Sequence, residues 1–431
     1  MTAAPSTTAS LLARRARVLG PAYRLFYDDP VHLVRGEGVW LHDADGKRYL
    51  DAYNNVACVG HAHPRVVQAI ARQAAVLNTH TRYLHEGVVD YAERLLRTAP
   101  GMDHAMFTCT GSEANDLALR IARAHTQAQG LIVTDNAYHG VTAAIAEASP
   151  SLGRYIKLGP AVRTVAPPDT RHGDAAAVGA RFAQSVREAA ADLRAHGLAP
   201  AALLVDTIFS TDGIHADPAG FLAPAVQAIH EEGGLFIADE VQPGFGRGGD
   251  TFWGYQRHGV APDLVTMGKP MGNGHPVAGL MTRADVLAAF GRECRYFNTF
   301  GGNPVSMAAA GAVLDVIEDE GLRENARVVG DYLRARLREL SARHPVVADV
   351  RGAGLFVGLE LSEERSEGPD RAPATDLAAR VVNGLRRQGI LLSATGAAGN
   401  VLKIRPPLVF QREHADLLAD GIGAALAACG A

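Results

Sequence analysis

A chain of 431 residues with 47% apolar and 20% charged side chains can build a large packed core and is not a disordered segment. The 42 Lys+Arg set against 46 Asp+Glu leave a formal charge of -4, with no basic excess to hold nucleic acid. Four cysteines (Cys58, Cys109, Cys294 and Cys429) cannot staple so long a chain, and no apolar run is long enough to span a membrane.

The first 20 residues lack the apolar centre of a secretory signal. Arg14, Arg15 and Arg17 precede the first acid, Asp28, which leaves a transit peptide open. A solvated helix is the plainer expectation, and the cytoplasm the expected compartment. GEGVWLHDADGKRYLDAYNN (36–55) reads as a strand, a DG turn and a second strand. PRVVQAIARQAAVLN and EGVVDYAERLLRT have the apolar spacing of amphipathic helices. LIVTD (131–135), AALLVD (201–206), GLFIADE (234–240) and DLVTMGK (263–269) are short, branched and apolar, as strands covered on both faces are. Alternating with helices, they predict βαβ units around a mainly parallel sheet. Beyond about residue 320 a helix (322–343), a strand pair (DVRGAGLFVGLEL) and a polar surface loop (362–375) follow. A further helix, the strand-like GILLSAT and VLKIRPPLVF, and a last helix complete a second α/β unit.

Four separate stretches carry chemistry. In TGSEANDLALRIAR, Gly111 and Ser112 lie where a loop becomes a helix, and the free N–H groups and dipole there suit a phosphate. The plain alternative is a serine that caps the helix. In LFIADEVQPGFGRGG, Asp239 and Glu240 end an apolar strand, the place where α/β sheets put ligands. A carboxylate there can hold a cationic ring nitrogen. No His or Cys stands at ligand spacing around it, so no metal is expected, and His61 and His63 in VGHAHP read as turn or core residues. In TMGKPMGNGHPVAG, Lys269 follows a strand end inside a glycine-rich turn, where an amine can be desolvated into a nucleophile. An exposed lysine is the bland reading. Neither GxxxxGK[ST] nor a GxGxxG after the first strand is present, which disfavours a P-loop enzyme and a nicotinamide dehydrogenase. Finally, Thr299 in YFNTFGGNP offers a hydroxyl, and Arg405 in LKIRPPLVF a two-pronged donor for a carboxylate. Together these are the parts needed to hold an aldehyde-phosphate cofactor as a Schiff base.

At these residues the chain resembles the class III (ω-type) aminotransferases, pyridoxal-phosphate enzymes of fold type I. The motifs GHAHP, TGSEAND, YHG, ADEVQPGFGR, TMGKPMGNGHP, NTFGGNP and RPPL fall in family order from about Pro30 to the last helix. The resemblance implies pyridoxal 5'-phosphate as cofactor. It implies an α/β fold: a large cofactor domain (61–320) with a mainly parallel seven-stranded sheet, and a smaller α/β domain made by segments 1–60 and 321–431. Lys269 resembles the lysine that carries the cofactor as an imine and then moves the proton between the substrate α-carbon and C4′. Asp239 resembles the acid paired with the pyridine nitrogen. Gly111 and Ser112 resemble the phosphate cup, and Thr299 the residue that reaches the phosphate from a neighbouring subunit, which implies a homodimer with shared sites and leaves a tetramer open. Tyr138, with His139 beside it, resembles the aromatic stacked on the ring. Val241 and Gln242 resemble the pair that packs on the other face and approaches the ring hydroxyl. Arg405 resembles the receiver of the substrate's α-carboxylate. Tyr53 and Arg82 lie in loops that border the substrate.

Two departures refine the expectation. Many members carry E-P-x-x-Q after the middle strand, with a Glu that pairs with an active-site arginine. Here the segment is VDTIFSTDG, with Asp206, counted among the cofactor residues, and Phe209 at those positions. A shorter acid and a lost amide favour small acceptors, pyruvate or glyoxylate, over 2-oxoglutarate. In addition, NNVACVGHAHPRVVQA, LNTHTRYLH and VDYAERL resemble the ethanolamine-phosphate phospho-lyase branch, whose members eliminate phosphate. Elimination needs cationic donors for the departing dianion, and Arg82 is the candidate, with a structural ion pair as its plain role. Arg405 is aminotransferase-like. The expectation is therefore a ping-pong transaminase moving an amino group from an amine or amino acid to a small 2-oxo acid, with phosphate elimination as the alternative.

Overall fold

The computed structural model describes residues 7–171, 173–363 and 371–431. Its centre is a seven-stranded sheet, in the order His104–Thr108, Ala278–Thr282, Leu264–Met267, Leu235–Asp239, Pro200–Asp206, Gly130–Thr134, Val162–Val165. Ala278–Thr282 runs antiparallel to both neighbours, and the remaining pairs are parallel. The four apolar stretches singled out in the sequence are thus neighbouring central strands. Three more strands (HAMFT, VRTV and AGLMT) were not singled out. They lie at or next to the edges, and two of them are half-polar.

The strands are buried on both faces because their side chains alternate. Leu203, Val205, Phe236, Ala238, Val265 and Met267 face one core, together with Phe182 and Val186 of the helix Ala175–Ala195 and Ile229 of the helix Ala223–Glu231. Ala202, Leu204, Leu235 and Ile237 face the other, covered by Leu117, Ile121 and Ala122 of the helix Gly111–Thr126 and Phe290 of the helix Ala284–Glu293. Each large aliphatic chain so covered contributes roughly 1.5–3 kcal/mol of transfer free energy.

Two four-stranded sheets flank this layer. In one, Leu33–Glu37, Trp40–Asp43 and Arg48–Asp51 are joined by Ile390–Leu391, which pairs parallel to Arg48–Asp51. The 36–55 segment therefore supplies the last two strands of a three-stranded meander. The other sheet is antiparallel and contains Val347–Ala353, Phe356–Leu361, Val401–Ile404 and Ser393–Thr395. The expected helices form at Pro64–Ala74, Glu86–Arg97, Leu322–Ser341 and Arg412–Ala428. The arginine-bearing N-terminal segment is a helix, Thr8–Leu19, with no buried residue. Half of the loop predicted at 362–375, residues 364–370, lies outside the described residues. No helix among those described is long and apolar enough to cross a membrane.

Candidate active site

Parallel strands deliver their C-terminal ends to one edge of the sheet, and the site forms there. Asp206 and Asp239 end adjacent strands in register, and Lys269 stands two residues beyond Leu264–Met267. From the other side comes the N-terminus of Gly111–Thr126. Thr110 caps it: its hydroxyl accepts from Glu113 N at 3.2 Å, while the Glu113 carboxylate accepts from Thr110 N at 2.9 Å. Because threonine takes the capping duty, Ser112 is free, and its hydroxyl accepts from Val141 N at 3.0 Å. The reading of Ser112 as the cap is corrected accordingly.

These elements enclose a cavity of about 180 Å³ lined by Gly111, Ser112, Tyr138, His139, Gly140, Asp239, Val241, Gln242 and Lys269. Every lining residue except Gly140 was picked from the sequence. Two glycines are there for space. A Cβ on Gly111 would sit 2.9 Å from the Val241 methyls, and one on Gly140, at φ +138°, would sit 2.4 Å from Ser112 Oγ.

Asp239 is buried and tightly held. One oxygen pairs with His139 Nδ1 at 2.7 Å and accepts from Asn115 Nδ2 at 2.9 Å, and the other accepts from Val241 N at 3.0 Å. Asn115 is itself fixed, accepting from Thr266 Oγ1 at 2.6 Å and donating to His139 O at 2.8 Å. Asn115 was missed in the sequence reading, although it lies inside TGSEAND one helical turn beyond Ser112, where the two share a face.

Burial pushes the Lys269 ammonium down to about 8, helped by the positive charge of Arg405 and opposed by Asp239 and Asp206. Its Nζ lies 5.9 Å from the centre of the Tyr138 ring. The Tyr138 hydroxyl is pushed up by burial and by Asp239. Arg405 is 5% exposed, has its guanidinium 4.5 Å from the Tyr53 ring centre, and donates to the amide oxygen of Gln242. Tyr53 in turn packs edge-on to Phe26.

Arg405 and Tyr53 do not line the cavity and meet it through Gln242, and three further expected residues lie elsewhere. The Asp206 carboxylate does not line the cavity. It turns into its own loop, accepting from Ser210 Oγ and from Ile208 N at 3.0 Å, and burial and the charge of Asp239 hold its carboxyl above the usual range. Arg82 and Thr299 are exposed within this chain, Arg82 lying 3.8 Å above the Phe297 ring. Lys403, not anticipated, is buried and donates to Ser210 O at 2.9 Å. Burial and Arg405 hold its ammonium well below the ordinary lysine range. It stands two residues before Arg405, the spacing that puts two side chains on one side of an extended chain, which was the available signal.

The donor set fits a planar cationic ring carrying a phosphate and an aldehyde. It offers a helix N-terminus lined by small residues, a fixed buried carboxylate and a desolvated amine around one cavity.

Comparison with known proteins agrees. A family model described as aminotransferase class-III matches residues 26–426. The chain is 43% identical over 418 residues to an alanine–glyoxylate aminotransferase 2-like protein of Drosophila melanogaster, covering 93% of this chain and 84% of that protein. It is 38% identical over 424 residues to ethanolamine-phosphate phospho-lyase homolog 1 of Caenorhabditis elegans, covering 94% and 90%. Among solved structures, an Arthrobacter phospholyase in complex with phosphoethanolamine superposes with a TM-score of 0.93 at 46% identity, covering 97% of this chain and 99% of that one.

Proposed function

The chain belongs to the class III aminotransferase family and is a pyridoxal-phosphate-dependent enzyme, and from that premise we propose that it is a transaminase. It takes the amino group of an amine or amino acid and delivers it to a small 2-oxo acid, pyruvate or glyoxylate, in a ping-pong cycle. The observation that carries the reading is Arg405, a buried guanidinium whose hydrogen-bond partner Gln242, a neutral amide, lines the cavity. One such fork matches one carboxylate.

Pyridoxal phosphate, when bound, supplies an electron sink for the charge left on the substrate carbon after its proton is removed. Lys269, with its amine near 8, is partly neutral at physiological pH and takes that proton over a short path. Asp239, which His139 and Asn115 keep from rotating, would face the ring nitrogen of the bound cofactor. Gly111 and Ser112 receive the phosphate at the helix N-terminus. Tyr138, Val241 and Gln242 line the cavity and would wall the ring. Arg405 and Tyr53 orient a carboxylate-bearing substrate.

The working unit in this reading is a homodimer, with Thr299 and Arg82 at the neighbour's site. Support comes from the exposed apolar surface around them, with Tyr83 65% and Phe300 69% exposed. A cytoplasmic enzyme and the three-part division 1–60, 61–320 and 321–431 belong to the same reading. The sheet shared by Arg48–Asp51 and Ile390–Leu391 supports that division.

A second reading, elimination of phosphate and ammonia from a phosphorylated amino alcohol, is favoured by the likeness to the phosphoethanolamine-bound phospholyase. One experiment separates them. The holoenzyme is incubated with phosphoethanolamine alone and free phosphate is followed. It is then given amino donors with pyruvate or glyoxylate, and alanine or glycine is measured. Transamination predicts product only in the second assay; phosphate release without an acceptor overturns it.

A further inference from the structure

Arg405 lies among acids yet is paired with none of them. Asp206 and Asp51 both bear on its charge, and both are committed elsewhere. Asp206 accepts from Ser210 Oγ, from Ile208 N at 3.0 Å and from Ser210 N at 3.3 Å. Lys403 fastens that turn by donating to Ser210 O at 2.9 Å. Asp51 accepts from Tyr53 N at 3.1 Å and Asn54 N at 2.9 Å with one oxygen, and pairs with His61 Nε2 at 2.6 Å through the other. The Arg405 guanidinium is left with the amide oxygen of Gln242 through Nη1 and with Tyr53, whose ring lies on its face and whose hydroxyl accepts from it, while its Nε is buried without a partner. Gln242 is anchored through its backbone, where its carbonyl accepts from Asn55 Nδ2 at 3.3 Å.

We propose that Gln242 is a neutral gate on Arg405 and a specificity-determining residue of this site. Its amide oxygen occupies the guanidinium until a substrate carboxylate arrives, and then yields it. The proposal rests on the reading of Arg405 as carboxylate receiver. An amide is a weaker partner for a guanidinium than a carboxylate is, so an incoming carboxylate displaces it readily. An acid in the same place would compete with the substrate on equal terms. The neutral gate still satisfies the buried cation in part when the substrate brings no carboxylate, so the site accepts simple amines as well as amino acids.

The test is a calorimetric titration of the holoenzyme with propionate, a carboxylate with no amino group to react. In the Gln242→Ala variant propionate should bind more tightly, by about fivefold, because a competing hydrogen bond is gone. In Gln242→Glu it should bind more than about tenfold more weakly, because a carboxylate must be displaced. General damage to the site loosens binding, so tightening is the diagnostic direction. Gln242→Asn, too short to reach, serves in place of the alanine variant if that chain does not fold. Unchanged or weaker binding in the alanine or asparagine variant overturns the gate. Arg405→Ala separates the two levels: if that variant binds propionate as the unaltered enzyme does, Arg405 is not the carboxylate receiver and the functional reading itself fails.

Discussion

Asp206 and Asp239 stand side by side in register at the ends of parallel strands, yet they face different partners. Asp239 is clamped by His139, Asn115 and the Val241 amide at the wall of the cavity. Asp206 is folded into the turn that follows it. Two adjacent carboxylates are thereby divided into one at the cavity wall and one that shapes the loop.

That division predicts unequal sensitivity to the same change. Asp239→Asn removes the charge opposite the ring nitrogen and should lower kcat by about 100-fold or more, equivalent to about 2.7 kcal/mol in the barrier. Asp206→Asn keeps one acceptor, for Ile208 N, can donate its amide to Ser210 Oγ at the loss of the bond from Ser210 N, and removes a like charge beside Asp239, so kcat should fall less than about tenfold. Steady-state kinetics on both variants check the contrast, and equal losses would refute it.

Lys269→Ala should abolish the visible-edge absorbance of the bound cofactor. An unchanged spectrum would mean that another lysine holds it.

The cofactor-free protein carries a pH signature of the same lysine. Its amine is held at about 8 in the fold against 10.5 for an ordinary lysine. Between these values the unfolded chain binds a proton that the folded one has released, so stability rises with pH across that window and its gain is absent below it. Urea unfolding of the cofactor-free form from pH 7 to 10 measures this, and Lys269→Met should flatten the rise. The rate of cofactor uptake should climb through pH 8 as the neutral amine appears.

Arg405→Ala should raise KM for α-carboxylate donors by about 30-fold or more, the cost of losing a charge-assisted fork, roughly 2 kcal/mol or above. A simple amine should suffer far less in its own half-reaction. Equal damage to both would assign Arg405 a structural role.

Thr110→Ala removes the cap that leaves Ser112 free. It should cost about 1 kcal/mol of stability, read as a lower urea midpoint at unchanged m-value. Gly111→Ala, whose added methyl meets Val241, should weaken cofactor retention on dialysis more than it lowers the midpoint.

Much of this was legible in the sequence because it rests on local rules. Runs such as AALLVD and GLFIADE are apolar on both faces and too short for a buried helix, as strands covered on both sides are. Gly111, Asp239 and Lys269 sit at strand-to-loop or loop-to-helix junctions, which α/β topology gathers at one sheet edge whatever the rest of the chain does. The family motifs placed Tyr138, His139, Val241 and Gln242 at the same cavity.

What the sequence could not decide was how charges separated by hundreds of residues would be partnered. Asp206 looked like a cofactor or gate residue from its position. Only the tertiary structure shows Ser210 and Lys403 taking it into the loop, and Gln242, 163 residues before Arg405, taking the acid's place at the guanidinium. Backbone pattern is written in neighbouring residues, so sequence determines it directly. The pairing of buried charges depends on which side chains the packed core brings within about 3 Å, and each choice shifts the energy of the others in a medium that screens weakly. The chain alone therefore determined the scaffold and the chemical parts of the site, and the fold decided which part faces which.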